Sequence, residues 1–76
     1  MKQKRNITLI LDYGTIEITN LKEIWVNKYL GTYRLCYSDN EYEYNCIYWS
    51  YNRSYMHELK EKFEKAIQNN QTSVRL

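Results

Sequence analysis

The chain has 76 residues, enough for one domain with a small core, since a chain of this size buries only about 60 to 65% of the surface its unfolded form exposes. With 43% hydrophobic and 26% charged residues, no proline and two glycines, it has a globular composition without a disordered linker. Net charge is +2, yet Lys2, Lys4 and Arg5 sit at the extreme N-terminus, so the remaining body is near neutral. That argues against a strong sequence-independent grip on a phosphate backbone, which normally needs several clustered basic residues.

Residues 1–5 form a basic leader. The apolar run after it, Ile7 to Leu11, is about five residues long and ends at Asp12, too short for a signal-peptide core. No segment approaches the roughly 18 apolar residues of a membrane span. The expectation is a cytoplasmic protein without a membrane partner, in which the sequons at Asn6, Asn52 and Asn70 are not evidence of glycosylation.

Strands are expected over 6–51. Ile7 to Leu11 is rich in aliphatic and β-branched residues, and Asp12-Tyr13-Gly14 supplies a hairpin turn whose glycine tolerates positive φ. Thr15 to Thr19 then alternates, with Ile16 and Ile18 on one face. Asn20 to Leu30 admits two readings. Asn20 with Glu23 resembles a capping box, and Leu21, Ile24, Trp25 and Lys28 share helical spacing; Ile24-Trp25-Val26 is a strand-forming trio, and strand is the favoured reading.

From Thr32 to Tyr51 the alternation strengthens. A two-residue loop at Asp39-Asn40 would pair Tyr37 with Tyr42, Leu35 with Tyr44 and Tyr33 with Cys46, giving one face a tyrosine ladder. The opposite face would carry Arg34, Cys36, Glu41, Glu43 and Asn45, then Ile47 and Trp49. A helix follows over 53–69, capped by Asn52 or Ser54, with Met56, Leu59, Phe63, Ala66 and Ile67 as one apolar stripe. Glu58 with Lys62 and Glu61 with Lys65 are i, i+4 pairs, and 70–76 reads as a tail. The fold class is therefore α+β: an antiparallel meander of four to five short strands with one C-terminal amphipathic helix on one face. A single stripe covers a single sheet face and leaves the other for solvent or a partner.

Chemistry-bearing patterns are sparse. Cys36 and Cys46 match neither a Cys-x-x-Cys pair nor a four-ligand zinc set, and the register above points them to opposite faces as free buried thiols, with no disulfide. His57, the one histidine, has no adjacent nucleophile or metal partner, and Gly14 and Gly31 build no phosphate loop. No catalytic residue, metal or cofactor is expected.

Contact chemistry is better represented. Nine of twelve aromatic residues are tyrosine, a side chain that gains from burial while its hydroxyl seeks a partner. Asp39, Glu41, Tyr42, Glu43 and Tyr44 alternate acid and tyrosine at a turn, and Trp49 follows on the next strand. Tyrosine is enriched in interface hot spots, and rim carboxylates steer towards a basic surface. Trp25, Tyr48, Trp49 and Tyr51 either extend that patch or form its hydrophobic core. Ile, Lys, Asn and Tyr supply 31 residues, all with AT-rich codons, which suits a low-GC bacterium or its phage.

The expectation is a small non-catalytic protein, phage or mobile-element encoded, that inhibits or modulates a host protein or protein complex, with an anti-defence or anti-CRISPR-like role and a possible homodimer. The alternative is a nucleic-acid-binding accessory protein using Lys2, Lys4 and Arg5 with aromatic residues of the sheet stacking bases. Gly31 to Tyr37 departs at most positions from the aromatic-glycine motif of sheet-based RNA-binding domains.

Overall fold

A computed structural model describes residues 6–39 and 43–76. Among these described residues, six strands and one helix follow in the order β1 (Ile7–Leu11), β2 (Gly14–Ile18), β3 (Glu23–Tyr29), β4 (Thr32–Ser38), β5 (Asn45–Ser50), α1 (Arg53–Gln68) and β6 (Ser73–Arg75). The fold is α+β. Where a single meander was expected there are two three-stranded sheets, ordered β2-β1-β6 and β3-β4-β5.

In the first sheet the period-2 pattern of β1 buries Ile7, Leu9 and Leu11, and its antiparallel partner β2 sets Ile18 opposite Ile7 and Ile16 opposite Leu9. The pairing runs to Leu11 opposite Gly14, so Asp12 and Tyr13 form the expected tight turn. On its other edge β1 pairs with β6, in parallel, through Thr8↔Ser73, Leu9↔Val74 and Ile10↔Arg75. The segment 70–76 is thus not a tail: Val74 is buried beside Leu9.

The end of α1 explains how the chain returns. Gln71 N–H donates to the Ala66 carbonyl at 2.9 Å and Asn70 N–H to the Ile67 carbonyl at 3.1 Å, with Asn70 left-handed at φ 57°. This is a Schellman motif, which stops the helix and redirects the strand towards β1. At the other end the Asn52 Oδ1 accepts from the Tyr55 N–H at 3.1 Å, making Asn52 the N-cap. Along the helix the ion pair that closes among the described residues is Lys60 with Glu64 at 3.3 Å, rather than the two pairs expected from spacing.

The 20–30 segment resolves as strand β3, where the strand-forming trio outweighs the helical spacing. Left-handed turns bound it: Asn20 at φ 61° before, and Leu30 and Gly31 at φ 49° and 79° after. With Tyr29 opposite Thr32, Leu30-Gly31 is a two-residue hairpin loop with both φ positive, the conformation that matches strand twist.

The β4–β5 register differs from expectation. Tyr37 faces Asn45, Cys36 faces Cys46, Leu35 faces Tyr48, Arg34 faces Trp49 and Tyr33 faces Ser50. Ile47 is the extra residue of a β-bulge. Two things defeated the simple alternation. The connection is longer than two residues, and the bulge sends Ile47 and Tyr48 both towards the helix, so that Cys46 and Trp49 share the face of Arg34 and Cys36. The cysteines therefore oppose each other directly, Cys36 buried and Cys46 exposed, instead of lying on opposite faces as two buried thiols. The tyrosine ladder dissolves likewise: Tyr33, Tyr37 and Tyr48 turn inwards, whereas Tyr44 packs outside against Trp25.

One core joins both sheets and α1, with Leu9, Leu35, Met56 and Phe63 inaccessible to solvent. The turn between β1 and β2 is fastened to the bulge. The Tyr13 hydroxyl donates to the Ile47 carbonyl at 2.6 Å, taking up an acceptor that the bulge removes from the ladder. The Tyr48 hydroxyl donates to Asp12 Oδ1 at 2.9 Å and accepts from the Asp12 N–H at 3.1 Å, and the two tyrosine rings meet edge to face at 5.6 Å.

Candidate functional site

Because α1 lies against β3, β4 and β5 from one side, the other side of that sheet is free of the core. Alternation decides what stands there. The inner rows are Ile24, Tyr37 and Asn45; Val26, Leu35 and Tyr48; and Lys28, Tyr33 and Ser50. The outer rows between them are Trp25, Cys36 and Cys46; Asn27, Arg34 and Trp49; and Tyr29 with Thr32.

These outer side chains are organised by mutual contact. Trp25 and Tyr44 pack at 5.7 Å between ring centroids, Trp49 and Tyr51 meet edge to face at 5.7 Å, and the Arg34 guanidinium lies 4.7 Å from the centre of the Tyr29 ring. Such pairs are worth about 0.5 to 1.5 kcal/mol each beyond burial, or for the cation over a ring about 0.5 to 1 kcal/mol at an exposed site. They hold the rings in place without hiding them: Trp49 is 63% exposed and Tyr51 is 74% exposed. Leu30, at the tip of the β3–β4 hairpin beside Tyr29, is 84% exposed in a conformation unfavourable for a branched side chain.

A groove of about 370 Å³ runs beside β5 between Arg34, Trp49 and Tyr51, with Thr32, Cys46, Ile47 and Tyr48 completing its walls. At its edge the Cys36 and Cys46 sulfurs are 3.1 Å apart. Burial pushes the Cys36 thiol up to about 12, with the hydrogen bond to Cys46 and its charge adding and the Arg34 charge opposing. Burial also raises Tyr37, where the Asp39 charge adds, and Tyr13 and Tyr48, both beside Asp12.

The residues expected to make contacts divide accordingly. Tyr44 and Trp49 belong to the outer face, Glu43 is exposed next to Tyr44, and Asp39 is half-buried at the end of β4. Glu41 and Tyr42 lie outside the described residues, as do Lys2, Lys4 and Arg5. Tyr29, Leu30 and Arg34 were not singled out as contacts from sequence. The spacing Trp25, Asn27, Tyr29 on an outer row would have found Tyr29, once β3 was known to be a strand. Among the described residues no three of His, Cys, Asp and Glu cluster closely enough to hold a metal ion, and no helix is long and apolar enough to cross a membrane. His57 stands exposed on α1.

No protein-family model, curated protein or solved structure matches this chain.

Proposed function

We propose that the chain is a non-catalytic binding protein that docks a protein partner on the outer face of β3, β4 and β5. The observation that carries the reading is the concentration of Trp25, Tyr29, Arg34, Tyr44, Trp49 and Tyr51 on the face of the β3-β4-β5 sheet that α1 leaves open. Trp, Tyr and Arg are the residue types that dominate interface hot spots, because each offers a large rigid apolar surface and a polar end. Strand geometry gives the face roughly 13 Å along β3 and about 10 Å across the three strands. With side-chain overhang it suits the centre of an interface of about 800 Å² per partner.

Charge favours protein over nucleic acid as the occupant. Arg34 is the cation within the outer rows, and its guanidinium is already engaged with Tyr29, whereas a phosphate backbone calls for several basic groups. The same reading extends to the role expected from size and base bias: a cytoplasmic, phage or mobile-element protein that inhibits or modulates a host protein by covering one of its surfaces. Glu43, exposed next to Tyr44, then belongs to the rim.

The test is an affinity capture with tagged wild-type protein and a folded Trp25→Ala/Trp49→Ala variant, from nuclease-treated lysate of a low-GC bacterium. A stoichiometric protein retained by the wild type and lost by the variant supports the proposal. Equal retention by both overturns it, recovery only of a second copy of the chain replaces the partner with a homodimer, and loss of all bound material after nuclease favours the nucleic-acid reading.

A further inference from the structure

We propose that Cys36 and Cys46 form a reversible modification site, at which a low-molecular-weight disulfide such as oxidised glutathione enters at Cys46 and is exchanged for a Cys36–Cys46 cross-strand disulfide. The site stands apart from the partner reading, since it needs only the two strands and their register.

Three observations meet there. The two residues are directly opposed in an antiparallel pair, where Cα atoms lie about 4.5 to 5.5 Å apart, inside the window of about 4.4 to 6.8 Å that a disulfide spans. Their sulfurs are 3.1 Å apart, so reaching the bond length of about 2.0 Å asks each to move by about half an ångström. The bulge at Ile47, next to Cys46, interrupts the ladder and lets β5 adjust. Access is as asymmetric as exchange chemistry requires: Cys46 is exposed and borders the groove of about 370 Å³, while Cys36 is wholly buried beneath the outer face. A groove of that size admits a small molecule, and the Arg34 guanidinium on its wall suits a carboxylate-bearing disulfide.

The chemistry balances in two displacements. The Cys46 sulfur, as thiolate, attacks one sulfur of the small disulfide, breaking its S–S bond and releasing one thiol; the Cys46 proton ends on that leaving sulfur. The Cys36 sulfur then gives up its proton and attacks the Cys46 sulfur, expelling the second small thiol and closing the cross-strand bond. Two protein thiols are oxidised and one small disulfide is reduced to two thiols. Burial, which holds the Cys36 thiol protonated at neutral pH, makes the second displacement the slow one.

The experiment incubates the reduced 76-residue chain with oxidised glutathione, alkylates remaining thiols under denaturing conditions and records the intact mass. The expected product is a monomer that has lost two hydrogen atoms, retains no glutathione, takes no alkyl group, and reverts with dithiothreitol. Its melting temperature should rise by about 10 to 20 °C, from closure of the Cys36-to-Cys46 loop in the unfolded chain. A stable glutathione adduct, a covalent dimer or two thiols that remain alkylatable would each overturn the proposal. Cys36→Ala should trap the adduct on Cys46. Should that core substitution unfold the chain, Cys46→Ser at the exposed position decides: its Cys36 should stay unmodified, and modification at the wild-type rate refutes entry at Cys46.

Discussion

Replacing Tyr13 by Phe removes one oxygen atom and keeps a ring that meets Tyr48 at 5.6 Å. What is lost is the donor to the Ile47 carbonyl, at 2.6 Å, on a residue that is 6% exposed and excluded from its ladder by the bulge. A typical hydrogen bond contributes about 1 kcal/mol net, rising to about 2 kcal/mol where the orphaned acceptor stays dry. Tyr48→Phe removes both contacts with Asp12, and the exposed setting holds that cost to about 1 kcal/mol. Chains of this size have about 4 to 11 kcal/mol in total at the usual stability per residue. The double variant, losing about 2 to 3 kcal/mol, should melt about 10 to 20 °C below wild type. Because both hydroxyls fasten the same turn, the two effects should couple by at least about 0.5 kcal/mol. Thermal melts and urea titrations of the four proteins measure this directly. A Tyr13→Phe variant with wild-type midpoint and slope would mean that water satisfies the Ile47 carbonyl equally well and that the fastening is incidental.

Two further perturbations bear on the fold. Leu30→Asn keeps the hairpin loop but places a residue that tolerates positive φ where a leucine now sits at 49°, so stability should rise by about 0.5 to 1 kcal/mol; an unchanged or lower melting temperature would remove the strain argument. If Leu30 also touches the partner, the same variant should bind more weakly while melting higher, and a calorimetric titration separates the two effects. Alkaline pH should destabilise the chain. Tyr13, Tyr37 and Tyr48 are raised above their ordinary 10.0, and Cys36 is raised from 9.0 to about 12, each first by burial. A raised folded value means that the folded state keeps a proton the unfolded state releases. The stabilisation is therefore complete below about pH 9 and is withdrawn as pH climbs through the folded values. Melting temperatures that stay level from pH 8 to 11 would contradict these environments.

Legibility followed the length scale of each signal. Strand β1, the Asp12-Tyr13 turn and the stripe of α1 are written in local pattern, β3 in the strand-forming trio Ile24-Trp25-Val26 against a helical spacing, and the helix is bounded to within a residue because Asn52 and Asn69-Asn70 carry its caps. The parallel pairing of β6 with β1 was not legible. Three residues make too short a pattern, and their partner lies more than sixty positions upstream. The division into two sheets was hidden for a related reason, since Thr19 to Lys22 contains no breaker to distinguish a change of sheet from another hairpin. The bulge at Ile47 mattered most. One extra residue reverses the facing of everything beyond it. Together with the longer connection it puts Asn45, Cys46 and Ile47 on the faces opposite to those expected while Tyr48 and Trp49 keep theirs, so the expected register turns Cys46 away from Cys36 and has no groove beside Arg34. Tyr44 and Trp49 are nevertheless read as contact residues from sequence, because aromatic residues near a turn need no register to be noticed.

Docking of a protein partner on the outer face of β3, β4 and β5 can be measured by titrating the captured partner with wild-type protein and Trp49→Ala at two salt concentrations. Trp49 is 63% exposed, so its truncation should leave the fold intact, which a melt verifies. A hot-spot tryptophan costs about 2 kcal/mol or more when removed, so binding should weaken roughly 30-fold or more, with only a shallow dependence on salt. Wild-type affinity in the folded variant would contradict docking on this face.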